Sequence, residues 1–174
     1  TEKEENYVVK RRPRGNVFGT TMHRSFELLV QNYQSLSLDL EECVTRAIIE
    51  NYEDLLEEGK RIYIRDGENA EDYPNVVKAY LVKALEEFVD SNEVRELLLS
   101  AKAIYTELPF SYFTSVKEDK ELFESIEKHL EKHKIQIDTK QPVWVNGTAD
   151  LVLEYDNGDI LIIDYKSDTK KVKS

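Results

Sequence analysis

The chain has one cysteine, Cys43, and only six glycines and four prolines. A lone cysteine excludes an intramolecular disulfide, and it excludes a four-cysteine zinc or iron–sulfur site within the chain. Long apolar runs are missing as well: a membrane-spanning helix needs about 20 mostly apolar residues, and no stretch approaches that. No basic, then apolar, then small-residue leader opens the sequence, so a cytoplasmic protein without a membrane partner is expected. Basic residues are scarce, with 24 Lys and Arg against 35 Asp and Glu and a formal net charge of −11. That balance weighs against broad phosphate contact, because duplex affinity rests on cationic groups. The cations are unevenly placed, however: Lys10, Arg11, Arg12, Arg14 and Arg24 cluster early and Lys166, Lys170, Lys171 and Lys173 late. If the two ends meet, they form a local basic rim. No Gly-x-x-x-x-Gly-Lys-Ser/Thr loop occurs, which excludes ATP hydrolysis through a P-loop.

What is present is the composition of one ordinary globular domain: 174 residues, 40% hydrophobic and 34% charged. Residues 1–16 read as a polar linker with Pro13 and Gly15 as breakers. A helix is expected from Thr20 or Thr21, either hydroxyl serving as N-cap, with Met22, Phe26, Leu29, Val30 and Tyr33 on its apolar face. Further helices are expected at Leu40–Glu58, Asn75–Val89, Asn92–Ala101 and Lys117–Lys134. Cys43, among Leu40, Val44 and Ala47, reads as a buried helix residue. Strands are expected at Ile104–Phe113, interrupted by Pro109, at Ile135–Ile137 and Val143–Val145, and in the hairpin Leu151–Tyr155 and Ile160–Tyr165. A helical N-terminal half followed by a sheet is an α/β or α+β architecture. Among the histidines, His129 and His133 are one turn apart on a charged helix and read as surface residues. His23 lies one turn after Gly19 in apolar surroundings, where a packed histidine is the ordinary reading.

The chemistry concentrates at the hairpin. Asp164-Tyr165-Lys166 ends the apolar run Ile160–Ile163, and Asp150 precedes the partner strand. Paired carboxylates and a lysine suit metal-dependent phosphodiester cleavage, the carboxylates as hard oxygen ligands and the ammonium offsetting phosphate charge or positioning water. Whether they meet depends on parity. A two-residue loop at Asn157-Gly158 would put Asp150 and Asp164 on opposite faces. A three-residue loop Asp156-Asn157-Gly158, with Gly158 left-handed, pairs Asp150 with Asp164 and puts Lys166 on the same face. The three-residue loop is the expectation. Because both strand faces are largely apolar, the hairpin is also expected to be central and covered on both sides. An isolated Asp-x-Lys carries no function by itself; its pairing with Asp150 raises it above a frayed strand end.

Four segments in order carry a resemblance: Gly19-Thr20-Thr21-Met22-His23, Glu107-Leu108-Pro109-Phe110, Gly147-Thr148-Ala149-Asp150-Leu151-Val152 and Ile163-Asp164-Tyr165-Lys166-Ser167-Asp168. Together they resemble the RecB-like nuclease family of the PD-(D/E)XK superfamily, in particular the C-terminal nuclease domain of bacterial AddA-type helicase-nucleases. The resemblance implies a PD-(D/E)XK nuclease-like α/β core with a central mixed sheet flanked by helices. It implies a metal-dependent DNA exonuclease acting in double-strand break processing and recombinational repair. His23, Asp150, Asp164 and the Tyr165 carbonyl would bind the metal, Mg2+ or Mn2+. Asp150, Asp164 and Lys166 would be catalytic, with Glu107, Gly19, Gly147 and Asp168 supporting, the two glycines by admitting backbone and substrate closely.

The resemblance also implies partners: DNA as single strands or duplex ends, helicase domains of the same parent chain, and a second nuclease or helicase subunit. On this reading 17–174 is a nuclease domain excised from a larger helicase-nuclease. A C-terminal substrate-contacting helix with a Gln-x-x-x-Tyr motif, usual in the family, does not follow the lysine motif here. Two other readings share the core. One is a non-catalytic DNA-binding or scaffolding module, against which the intact His23, Asp150, Asp164 and Lys166 argue. The other is a restriction-type endonuclease.

Overall fold

The architecture is described from a computed structural model covering residues 12–33, 39–63, 70–132 and 141–166. Helices come first: α1 (Asn16–Asn32), α2 (Leu40–Glu50), α3 (Tyr52–Tyr63), α4 (Tyr73–Asp90, after a short 3-10 turn) and α5 (Asn92–Ser100). Then follow β1 (Ala103–Thr114), α6 (Lys120–Lys132), β2 (Val143–Glu154) and β3 (Ile160–Ile163). The sheet order is β1-β2-β3, with β2 and β3 antiparallel. The expected strand Ile135–Ile137, His133, the His129 side chain, Lys10, Arg11, Asp168 and the lysines after it lie outside the described residues.

The chain divides into two units, one of the residues up to Thr106 and from Asp150 onward, the other Glu107–Ala149. The first holds the main core. The α1 stripe Phe18, Met22, Phe26 and Leu29 is buried with Val44, Ala47 and Ile48 of α2, Leu55 of α3, Val77, Leu81 and Leu85 of α4, and Leu151 and Leu153 of β2. Each of these Val, Leu, Ile, Met and Phe side chains contributes about 1.5–3 kcal/mol when fully buried. Cys43 is buried in α2, as its apolar neighbours require. In the second unit, α6 is capped by Asp119, whose Oδ1 accepts the Leu122 N–H at 3.1 Å, and Phe123 is buried.

Several boundaries differ from the sequence expectation, each for a local reason. Helix α1 begins at Asn16 rather than at Thr20 or Thr21. Both hydroxyls instead donate back one turn, to Asn16 O at 3.1 Å and Val17 O at 2.8 Å, which is what threonines do inside a helix. The expected single helix Leu40–Glu58 breaks at Asn51. There the side-chain Nδ2 donates to Ala47 O at 2.8 Å, taking the carbonyl that a continuing helix would bond through the backbone. Strand β1 runs through Pro109 without interruption, because a flanking strand tolerates a missing N–H. The irregularity falls instead at Glu107, whose φ of 48° is left-handed. Val143–Val145 and Leu151–Glu154 are one strand, passing through Gly147.

The hairpin is covered less than its composition suggests. In β2, Leu151, Val152 and Leu153 are all buried. In β3, Leu161 and Ile163 pack on the core, but Ile160 and Ile162 are 65% and 64% exposed. So β2 is the central strand, and β3 has no second neighbour among the described residues.

Candidate active site

The loop between β2 and β3 sets the geometry. Gly158, at φ 86°, donates its N–H to Tyr155 O, and Tyr155 N–H donates to Asp159 O, both at 3.0 Å. Asn157 Oδ1 accepts the Asp159 N–H at 3.0 Å, an Asx turn that fixes the loop from inside. Three residues therefore separate Tyr155 from Asp159. The pairs are Leu151 with Ile163, Val152 with Ile162, Leu153 with Leu161 and Glu154 with Ile160. One step further along this register, Asp150 faces Asp164.

Beyond β3 the two-residue alternation continues through the motif. Tyr165 points inward and is buried, stacked on Phe26 of α1 with ring centroids 4.7 Å apart and edge-on to Phe88 at 6.4 Å. Asp164 and Lys166 point outward together, with Lys166 Nζ 2.5 Å from Asp164 Oδ2. The Lys166 ammonium holds the Asp164 carboxyl below the usual carboxylate range, against the opposing effect of burial; the Asp150 side chain also acts to lower it. Both Asp164 and Lys166 are exposed, so the pair is open to a substrate.

Asp150 is the buried member, at 8% exposure. Its Oδ2 accepts the Tyr165 backbone N–H at 2.6 Å, and its Oδ1 lies 3.3 Å from His23 Nδ1. His23 reaches it from α1, and its ring meets Tyr165 edge-on at 5.9 Å. A carboxylate offers about four lone-pair sites, so these two contacts leave acceptor capacity on both oxygens. His23, distant in sequence, is thus brought to Asp150 in the same unit that holds Asp164 and Lys166, with Tyr165 buried between the last two.

The remaining candidates are placed differently. Glu107 and Gly147 belong to the second unit. Glu107 holds a sparsely populated backbone conformation that costs a non-glycine residue about 1–3 kcal/mol. At Gly147 a Cβ would lie 2.5 Å from Phe110 Cζ, so the nearest neighbour there is the tip of an exposed aromatic ring. Gly19, by contrast, has no neighbour outside its own helix that a Cβ would meet within 4 Å among the described residues. Arg24 is no part of a free basic rim. Its guanidinium forks onto Glu50 at 2.7 and 3.1 Å and onto Glu27 at 2.7 Å.

Sequence reasoning missed Glu58. Its carboxylate, 6% exposed, accepts the N–H groups of Val17 at 3.1 Å and Phe18 at 2.9 Å and so caps α1 from α3. Gly15, at φ 121°, is required beside it, because a Cβ would collide with that carboxylate. The only local signal was the absence of a capping side chain at Gly15.

Over residues 3–174 the sequence matches the profile of the PD-(D/E)XK nuclease superfamily. The chain belongs to the PD-(D/E)XK nuclease superfamily. No curated protein matches it. Members of this superfamily are generally metal-dependent nucleases, and the α/β fold with a helical first half is consistent with it. Two carboxylates and an imidazole are the donors that a hard or borderline divalent cation takes, and Asp150 and Asp164 share one face of the hairpin. The donor types present suit the metal that this nuclease superfamily implies, and two of them, His23 and Asp150, stand 3.3 Å apart. Among the described residues no helix is long and apolar enough to cross a membrane.

Proposed function

We propose that this nuclease is a divalent-metal-dependent DNA exonuclease, the RecB-like nuclease domain of an AddA-type helicase-nuclease. The observation that carries the reading is the register that sets Asp150 against Asp164, with Lys166 beside Asp164 and His23 beside Asp150. His23, Asp150, Asp164 and the Tyr165 carbonyl would hold Mg2+ or Mn2+, with 17–174 as the nuclease domain after a linker at 1–16. The cation, when bound, polarises the scissile phosphate and lowers the pKa of bound water. The chain's own groups do the rest. Tyr165 N–H and His23 orient Asp150, while Asp164 pairs with the exposed Lys166, whose ammonium would meet phosphate or water. Glu107, Gly19, Gly147 and Asp168 keep supporting roles on the resemblance alone, Gly147 by making room for Phe110.

In the same reading the substrate is DNA, as single strands or duplex ends, delivered by helicase domains of the parent chain and handled with a second nuclease or helicase subunit. The setting is cytoplasmic double-strand break processing and recombinational repair. The test is cleavage of end-labelled linear DNA against covalently closed circles, in Mg2+ or Mn2+ and in EDTA. Metal-dependent loss of the linear label with circles intact is expected. Cutting of circles would favour a restriction-type endonuclease, and no cleavage in either metal would favour a non-catalytic module.

A further inference from the structure

Helix α1 carries His23 to Asp150, yet nothing in its own sequence fixes where the helix starts. A helix leaves its first N–H groups without internal partners, and a side-chain cap ordinarily takes one of them. Gly15 at the cap position has no side chain and makes no such bond. The bonds come instead from Glu58, about 40 residues away in sequence (separations of 41 and 40), with one oxygen on Val17 N–H and the other on Phe18 N–H. A buried carboxylate at a helix N-terminus also meets the favourable end of the helix dipole.

Two features make this more than a stabilising cap. First, both carboxylate oxygens are engaged, which fixes the helix start against α3 in translation and in rotation together. Apolar side chains around α1 allow small slides, whereas hydrogen bonds weaken steeply with distance and angle. Second, His23 stands five residues after Phe18, about 7.5 Å along the axis at the usual rise. The next residue, Arg24, is forked onto Glu50 of α2. The segment that presents His23 is therefore held on one side by Glu58 and on the other by Glu50.

We infer that Glu58 is a positioning residue for His23: its carboxylate sets the register of α1 so that the imidazole meets Asp150. The catalytic consequence rests on the metal role of His23 given above. Loss of partners that orient a metal ligand ordinarily weakens metal affinity about ten- to a hundredfold, and Glu58→Ala is expected to do the same here.

The experiment uses the 174-residue chain, Mn2+ alone as titrant, and NMR of the His23 ring in metal-free protein at fixed pH. The control is Asp39→Ala, which removes another cap, the 3.1 Å bond from Asp39 Oδ1 to Glu42 N–H at the start of α2. Glu58→Ala should shift the His23 ring signals and weaken Mn2+ binding at least about tenfold, whereas Asp39→Ala should move neither. Glu58→Gln keeps one acceptor oxygen and should fall between; it is the variant read if the alanine protein does not fold. In a His23→Ala background the Glu58 effect on Mn2+ affinity should vanish, since coupled residues are non-additive. Unchanged ring signals in both Glu58 variants would overturn the positioning role. So would an undiminished Glu58 effect without His23. If His23→Ala itself leaves Mn2+ affinity unchanged, the metal role of His23 falls, and the ring signals alone decide for or against Glu58.

Discussion

Asp150 and Asp164 are chemically identical and face each other, yet their removal should have unequal costs to the fold. Asp150 is buried at 8% exposure and accepts the Tyr165 N–H at 2.6 Å. Asp150→Ala leaves that buried donor without its acceptor, a penalty of about 1–3 kcal/mol. For a domain of this size each kcal/mol is about 2–4 °C in melting temperature, so a drop of roughly 2–12 °C is expected in EDTA at neutral pH. Asp164 is exposed and its ion pair with Lys166 is solvated. Such pairs are worth about 1 kcal/mol at most, so Asp164→Ala should move the melting temperature by no more than about 4 °C. Asp150→Asn keeps an oxygen on the Tyr165 N–H and should recover most of the lost stability. Activity should separate differently: all three variants lose the charge that holds the cation and should fall at least about a thousandfold in cleavage of linear DNA. Melting curves and end-labelled cleavage on the same preparations check both halves. An Asp164→Ala protein as unstable as Asp150→Ala would refute the assignment of buried and exposed roles, as would an Asp150→Asn protein that keeps its activity.

Lys166→Ala should lower turnover while calorimetric Mn2+ affinity stays unchanged or rises slightly, because the ammonium acts on phosphate or water and its positive charge no longer competes beside Asp164. Lys166 holds the folded pKa of Asp164 below its unfolded value. The ion pair's contribution is therefore present above the ordinary carboxylate range and lost as pH falls through the lowered value. Wild type should accordingly exceed Lys166→Ala by no more than about 1 kcal/mol near neutrality, and the two urea curves should converge in acid. Gly147→Ala should destabilise by no more than about 1 kcal/mol, because a Cβ there meets the tip of the exposed Phe110 ring, which can turn aside, and Phe110→Ala in the same chain should remove that cost; additive losses would show that Phe110 is not the obstacle. Binding of oligonucleotides in Ca2+ should weaken steeply with salt and show no base preference, since phosphate contact dominates; sequence-selective binding would instead favour the restriction-type reading.

The hairpin was legible in the sequence because its information is local and binary. Asp156-Asn157-Gly158 specifies a three-residue loop, and parity then decides which side chains share a face. The apolar stripe of α1 was legible for a similar reason, its 3.6-residue period surviving every context around it. What failed were boundaries set by partners distant in sequence or by side chains replacing backbone. The start of α1 is fixed by Glu58 on another helix, so no local capping rule could find it. The break at Asn51 turns on one amide taking the Ala47 carbonyl. Gly147 reads as a place for close backbone approach, but the approaching group is an aromatic ring from the Glu-x-Pro-Phe segment. Coverage of β3 was misjudged because alternating apolar residues state what a strand is able to bury, not what packs on it. For the site, the carboxylates and lysine followed from parity, whereas His23 became a candidate only through resemblance.

The same alternation explains how the site is tied to the core. Within Asp164-Tyr165-Lys166 only the middle side chain can turn inward, and it stacks on Phe26 at 4.7 Å. Phe26 is three residues after His23 on α1, so it lies one turn along the same helix face. One aromatic contact therefore couples the strand that aims Asp164 and Lys166 to the helix that aims His23. The Tyr165 N–H closes the circuit by holding Asp150 between them. Metal-ligand geometry tolerates errors of only a few tenths of an ångström. Residues contributed by two strands and a helix meet that tolerance only if the elements are fixed to one another, not merely near. Stacking of Tyr165 on Phe26, the buried hydrogen bond from Tyr165 to Asp150 and the Glu58 cap supply three such fixings, two of them through one residue. Each leaves the outward faces of Asp164 and Lys166 clear, so the rigidity needed for ligand geometry is obtained without closing the site to a phosphodiester.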